Sequence, residues 1–359
     1  MYWLPAILIL PYIYILLKIY KSLLKIRPFS WTSNPQTFVS VVVACKNEEK
    51  SLPSLLNSIA LQDYPFDLFE VLIVNDNSTD KTSDIGTGFI WSGNIRSIDN
   101  KTEGKKQALK TGILAARGNL IITTDADCTV GKSWIRTIAG YYDMNNPDLI
   151  ICPVQIKADR GFFGRFIELE FMSLQGITAG TALSDNGTMC NGANLAFTRE
   201  AYLTHSDNLH DEINSGDDIF LLHSLKRDPN SIISWLESPD AMITTESPLT
   251  LSSFLKQRSR WLKKGKVYKD NYTIILGIST FIAVLLQIGF IIAWLITPAL
   301  IWVLLSLIVL KSIPDLLILM NTTKRYDKRK LMWWFLPSQL IYPFYVLAVV
   351  IYSVIFRNK

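Results

Sequence analysis

The sequence predicts an α/β protein, a mostly parallel sheet with helices on both faces, carried on transmembrane helices. Three observations predict it: short β-branched runs alternate with amphipathic stretches through the middle of the chain, acidic residues recur at the ends of those runs, and apolar segments of membrane length flank the whole. At 359 residues there is room for one large α/β domain plus the membrane segments, and two folded soluble domains would be crowded. The hydrophobic share of 49% comes mostly from the two ends. A net charge of +5 is modest, and its Lys and Arg crowd beside the apolar segments instead of forming a stripe, which points to a membrane surface as partner and away from nucleic acid. Four widely spaced cysteines, with no CxxC pair, read as reduced thiols and not as a zinc site or disulfide framework.

In chain order, residues 2–17 are apolar and aromatic and run into Lys18, Lys21, Lys25 and Arg27. A signal peptide would carry its charge before the apolar core and a small-residue cleavage site after it, so residues 1–27 are expected to be a retained anchor. Residues 34–250 form the expected α/β domain. Residues 38–44, 69–74, 119–124 and 149–154 are strand candidates, and 51–61, 105–116 and 132–142 carry helical spacing between them. Residues 251–270 are expected as an interfacial amphipathic helix, and 271–359 as about three membrane helices near 273–296, 298–320 and 331–356, each long enough for a hydrocarbon core of roughly 30 Å. Lys311 and Asp315 interrupt the second of these, at a spacing that pairs them on one helical face; a helix that only dips into the interface explains them as well. The basic segments 18–27, 256–270 (seven Lys/Arg) and 324–330 (five) share one side if the first helix enters from outside, which makes that side cytoplasmic.

Ligands of open parallel sheets sit beyond the carboxyl ends of the strands, and the chemistry-bearing residues of the first half fall there. Lys46, Asn47 and Glu48 follow the first strand, Asn75 and Asp76 the second, and Asp125 and Asp127 the run at 119–124. No GxGxxG follows the first strand, and Gly131-Lys132-Ser133 has Ala126 where a phosphate loop needs its first glycine, so a dinucleotide enzyme and a P-loop NTPase are set aside. Asp125-Ala126-Asp127 suits Mg2+ or Mn2+ on a diphosphate; a solvated acidic turn is the competing reading. Asp76 suits contact with a base or ribose, although Asp, Asn and Ser after a strand also make turns, and Ser78 or Asp80 is expected to cap the next helix. Gly104-Lys105-Lys106 opens a helix whose free amides and basic side chain suit phosphate, or is a solvated turn. Asp217-Asp218 starts a helix, where the dipole alone favours acids; Asp218, then Asp217, is nevertheless the candidate general base, since His205, His210 and His223 have no comparable context. In Gln257-Arg258-Ser259-Arg260-Trp261 the arginines suit a diphosphate and Trp261 a sugar face, unless the stretch is only interfacial.

The run 39–49, the Asn75-Asp76-Asn77-Ser78 turn, Gly104-Lys105 with Ala108-Leu109, Asp125-Ala126-Asp127, Asp217-Asp218 and the Q-x-x-R-W motif ending at Trp261 resemble the family 2 glycosyltransferases of the GT-A fold, in order over roughly residues 38–265. The resemblance implies a Rossmann-like GT-A sheet and a membrane-bound inverting transferase. Lys46, Glu48, Asp76, Lys105 and Asp125 would bind a nucleotide-sugar, Asp125 and Asp127 the metal, and Asp218 would be the base. Asn191, Gly192, Asn194, Gln257, Arg258, Arg260 and Trp261 would line the acceptor and diphosphate end. Ala44 stands where the family usually has proline, Asn75 replaces the first of two aspartates, and Asp-Asp replaces the commoner Glu-Asp. The donor expected is a UDP-sugar and the acceptor a membrane lipid or lipid-linked glycan. A processive polysaccharide synthase, and an inactive nucleotide-sugar-binding scaffold, are the alternatives.

Overall fold

A computed structural model of the protein describes residues 4–31, 34–159, 161–184, 186–209 and 216–356. Along the chain come α1 (Leu4–Leu23), β1 (Val39–Cys45), α2 (Leu52–Ala60), β2 (Phe69–Asn75), α3 (Thr82–Gly88), β3 (Asn94–Asp99), α4 (Lys105–Ala115), β4 (Leu120–Asp125), β5 (Cys128–Val130), α5 (Trp134–Asn145), β6 (Leu149–Ile151) and β7 (Val154–Lys157). Then follow α6 (Phe162–Ala182), β8 (Leu195–Thr198), α7 (Arg199–His205), α8 (Asp217–Leu225), β9 (Ile233–Trp235), β10 (Ile243–Glu246), α9 (Leu251–Lys264), α10 (Asn271–Ile296), α11 (Ile301–Arg325) and α12 (Phe335–Ile355). They gather into an α/β unit of Ile26–Lys157 and Asp185–Glu246 and a helical unit of Met1–Lys25, Ala158–Ser184 and Ser247–Lys359. The helical unit thus takes a segment out of the middle of the expected 34–250 domain.

In the α/β unit a seven-stranded sheet runs β3-β2-β1-β4-β8-β6-β9. Val39, Val41, Val42 and Val43 of β1 and all of β2 are buried, as a strand covered on both faces requires. The β1 to β4 neighbours are parallel, with Val41 opposite both Val71 and Ile122, whereas β8 lies antiparallel to β4 and β6. The single strand expected at 149–154 is two. Pro153 has no amide to donate to a ladder, so β6 ends before it and β7 leaves for a second, three-stranded sheet, β5-β10-β7. The helix after β2 is not capped by Ser78 or Asp80: its N-cap is Lys81, and the Asp80 carboxylate accepts from the Thr82 amide one residue further in.

In the helical unit, α10, α11 with the turn before it, and α12 with the turn before it are three helices long and apolar enough to cross a membrane. Leu295, Trp302 and Leu336 are among the side chains left largely exposed there. Residues 1–3 of the expected anchor lie outside the described residues. From Ile9 onward α1 buries Ile9, Tyr12, Ile15, Leu16, Ile19 and Leu23, a stripe at helical spacing, against α6, α10 and α11. Lys311 and Asp315 do pair, at 2.7 Å. The interfacial helix expected within 251–270 ends at Lys264 and tightens into a 3-10 turn, Gly265–Val267.

Candidate active site

Parallel register brings the carboxyl ends of β1, β2 and β4 to one edge: Cys45 lies opposite Asn75, and Ala44 opposite Asp125. Asn47 takes a positive φ of 59° there, its backbone amide donating to Ser78 Oγ while its own Oδ1 accepts from the Thr79 amide, so the turns after β1 and β2 are tied together. Glu48 accepts from Ser51 Oγ at 2.5 Å, and Lys46 pairs with Glu103 at 2.8 Å on the surface. Asp76 is only 3% exposed. Its carboxylate accepts from Asn100 Nδ2 at 2.9 Å and from the Gly104 amide at 2.9 and 3.1 Å. An amide at the start of α4, expected to face phosphate, is therefore bound by the protein. Gly104 makes that approach with φ of 113°, a conformation a side chain disfavours.

Lys105, the next residue, reaches the Asp125 carboxylate at 2.5 Å. Burial opposes its charge, but Asp125 beside it, and Asp217 and Asp218 further off, more than offset this and hold the ammonium above its ordinary pKa. Half of the side chain is exposed, so water screens the effect and only its direction matters. Asp127 is pushed up by desolvation and then by the charges of Asp125 and Glu48. Carboxylates gathered this closely form a local excess of negative charge, which a cation relieves.

Asp218 comes to the same edge by a different route. It opens α8 after Gly216, whose φ of 99° turns the chain, and its Oδ2 accepts from the Gly192 amide at 3.0 Å while Oδ1 accepts from Ile219. The Gly192 carbonyl in turn accepts from Thr123 Oγ1 at 2.8 Å, two residues before Asp125 on β4. On α4, Lys106 is buried, bonds to the Leu209 carbonyl and lies 5.3 Å from the Phe220 ring of α8. Asp125, Lys105, Asp217 and Asp218 are thus held on connected elements. Asn191 accepts from Ala193 and shapes the loop, but Asn194 does not face a ligand. It is 0% exposed, accepting from Trp134 Nε1 and donating to the carbonyls of Pro153 and Ala241. An amide side chain with both ends satisfied inside the core is a strut under the loop.

The cluster at 257–261 belongs to the helical unit. Arg258 is buried, gives two hydrogen bonds to Glu170 at 3.0 and 2.6 Å and one to Gln257 at 2.6 Å, and lies 4.2 Å from the Trp261 ring. With its guanidinium committed to internal partners, Arg258 holds Trp261 in place and has little left for a diphosphate. Gln257 and Trp261 are half-buried and Arg260 is exposed. Sequence reasoning missed Glu170 and Thr123; the first had a signal, since Glu168 and Glu170 are acids inside an otherwise apolar helix.

Among the described residues no three His, Cys, Asp or Glu side chains gather as a cage for a metal ion. Asp125 and Asp127 nevertheless fit Mg2+ or Mn2+, which takes one or two carboxylates when phosphate oxygens complete its shell.

Residues 40–205 match the family model described as Glycosyl transferase family 2. The poly(ribitol-phosphate) beta-N-acetylglucosaminyltransferase TarS of Staphylococcus aureus is 29% identical over 124 residues, 34% of this chain and 22% of that protein. The beta-monoglucosyldiacylglycerol synthase of a Nostoc species is 28% identical over 248 residues, 67% of this chain and 51% of its own length. The chain therefore spans between about a fifth and a half of the length of these curated relatives. Among solved structures, the mannosyltransferase PcManGT from Pyrobaculum calidifontis, in complex with GDP-Man and Mn2+, is similar over 99% of both chains with a TM-score of 0.57 at 17% identity, a likeness of fold. Residues 40–205 thus match a family 2 glycosyltransferase model, and the fold is of the GT-A kind.

Proposed function

We propose that this chain is an inverting glycosyltransferase that moves a sugar from a nucleotide-sugar, a UDP-sugar, to a hydroxyl of a membrane lipid or lipid-linked glycan at the cytoplasmic face of the membrane. The observation that carries the reading is the chain of bonds from Asp218 through Gly192 and Thr123 to β4, which ends at Asp125 and its partner Lys105. Two backbone amides, of Gly192 and Ile219, fix the Asp218 carboxylate in place, where it would accept the proton of an acceptor hydroxyl.

In this reading the acceptor oxygen attacks the anomeric carbon while Asp218 takes its proton. The bond from that carbon to the diphosphate breaks, the electron pair leaves with the nucleoside diphosphate, and one displacement inverts the carbon. Lys105 offsets negative charge on the departing diphosphate. Asp125 and Asp127 would hold a divalent cation, which when bound supplies positive charge against the same oxygens. Asp76 fixes the turn that presents Gly104 and Lys105. On resemblance, Gln257, Arg260 and Trp261 serve the acceptor or diphosphate, with Arg258 holding Trp261.

A lipid acceptor is supported by the three membrane-length helices and by the Nostoc relative, named for making a glucosylated diacylglycerol. Incubating membranes that contain the protein with a panel of radiolabelled nucleotide sugars, then partitioning into organic solvent, tests it. Label should enter the organic phase from one donor. Label that stays in a membrane-retained polymer favours chain extension, and no transfer from any donor favours a binding scaffold.

A further inference from the structure

We propose that Glu170 and Tyr345 are positioning residues for the transfer and that, through Arg258, they decide which end of the Gln257 amide is left for a substrate, an assignment that rests on the reaction proposed above. Glu170 on α6, Gln257 and Arg258 on α9 and Tyr345 on α12 all belong to the helical unit. Glu170 is 9% exposed and Arg258 4%. The guanidinium forks onto the carboxylate, Nε donating to Oε1 at 3.0 Å and Nη2 to Oε2 at 2.6 Å, which fixes its plane. Tyr345 donates its hydroxyl to the same Oε1 at 3.1 Å. Its ring also stacks on the buried Phe254, centroids 5.2 Å apart, and Phe254 in turn lies 4.7 Å from the guanidinium. Tyr345 thus supports Arg258 twice, once through a carboxylate and once through a ring.

The consequence lies at Gln257. Arg258 Nη1 donates to Gln257 Oε1 at 2.6 Å. A guanidinium has donors and no acceptor, so the amide atom it meets has to be the oxygen, and the amide cannot turn over without setting donor against donor. Gln257 is half-buried, and its Nε2 has no hydrogen-bond partner among the described residues. The amide hydrogens are therefore the end left over, and the atom they recognise is an acceptor oxygen, on the nucleotide-sugar or on the acceptor molecule. Gln257→Glu isolates this point: it keeps an oxygen for Arg258 and loses the donors.

Steady-state transfer by the full chain in detergent micelles tests it, with the nucleotide-sugar that labels lipid as donor and a membrane lipid extract titrated as acceptor. Gln257→Glu should raise KM for one of these substrates about ten- to hundredfold, since a donor gives way to an acceptor that an oxygen cannot bond, and the substrate affected owns the oxygen. Tyr345→Phe, which keeps the ring on Phe254, should raise the same KM about three- to tenfold, and Glu170→Gln should raise it at least as much. A tyrosine that only stabilised the fold would reduce the amount of active chain, read in kcat, and leave both KM values alone. Both KM values unchanged in Gln257→Glu, or in Tyr345→Phe, overturns the assignment, as does a different substrate affected in each; where Glu170→Gln fails to fold, Tyr345→Phe decides. No transfer by the wild type overturns the reaction itself and this assignment with it, whereas transfer with unmoved KM values overturns this assignment alone.

Discussion

Cys45 lies at the end of β1 against the acidic edge, and burial, with Glu48 and Asp125 adding to it, pushes its thiol up to about 12. Thiolate is the reactive form, so Cys45 should resist iodoacetamide at pH 8, as should the buried Cys128 and Cys152, while the half-buried Cys190 is modified first. Mass spectrometry of the native protein checks the order; early labelling of Cys45 would show that the strand end is open to solvent. The negative charge gathered at Asp125 and Asp127 leads to a second expectation. Mn2+ at 100 times its Kd adds about 2.7 kcal/mol of stability. A thermal shift with Mn2+ should appear in the wild type and vanish in Asp125→Asn and Asp127→Asn; an equal shift in the variants would place the ion elsewhere. At this scale the sequence showed which acids end strands, because β-branched runs mark the strands. It did not show that Asn194 and Arg258 are internal struts, because their types suit a ligand as well as a buried partner and burial is not written in residue type.

Among elements, β2 carries Glu70 into the core, where it is 0% exposed and accepts from Ser40 at 2.8 Å, from the Arg117 amide at 2.6 Å and from Arg96 at 3.1 and 2.8 Å. Removing one partner of a buried pair costs about 3–5 kcal/mol, and since Arg96 is a third exposed the lower end applies to Glu70→Ala, readable by urea unfolding. A loss under about 1 kcal/mol would mean that the network adds nothing net. Close approach governs α6. A Cβ on Gly180 would stand 2.6 Å from Ile19 Cγ2 and 2.8 Å from the Ile19 carbonyl oxygen of α1. Gly180→Val should therefore loosen α1, exposing it to proteolysis, whereas a variant as resistant as wild type would deny that contact. The long helices and central strands were readable from periodicity. β3, β5 and β8 to β10 were not predicted, being half-exposed, short or antiparallel, and α6 was not because it is apolar around much of its girth and has no polar face to set a period.

For the whole molecule, we propose that 18–27, 256–270 and 324–330, rich in Lys and Arg, share one side of a membrane, and that α1 crosses it together with the three membrane-length helices, which would send the C-terminus to the other side. A C-terminal alkaline phosphatase fusion should be active and a green fluorescent protein fusion dark; the reverse pattern would remove one crossing or turn the protein over. Membrane segments were legible because a run of apolar residues needs no tertiary information, whereas the division into two units was not, since Ala158–Ser184 joins the helical unit from within the α/β sequence. In the proposed reaction Asp218 acts on the acceptor while Asp125 serves the donor. Donor binding and single-turnover transfer, measured side by side on Asp218→Asn and Asp125→Asn, test it most directly. Asp218→Asn should bind donor as wild type does and transfer about 10²- to 10⁴-fold more slowly, and Asp125→Asn should lose the donor itself. Transfer unimpaired in Asp218→Asn, or donor affinity unchanged in Asp125→Asn, would contradict it.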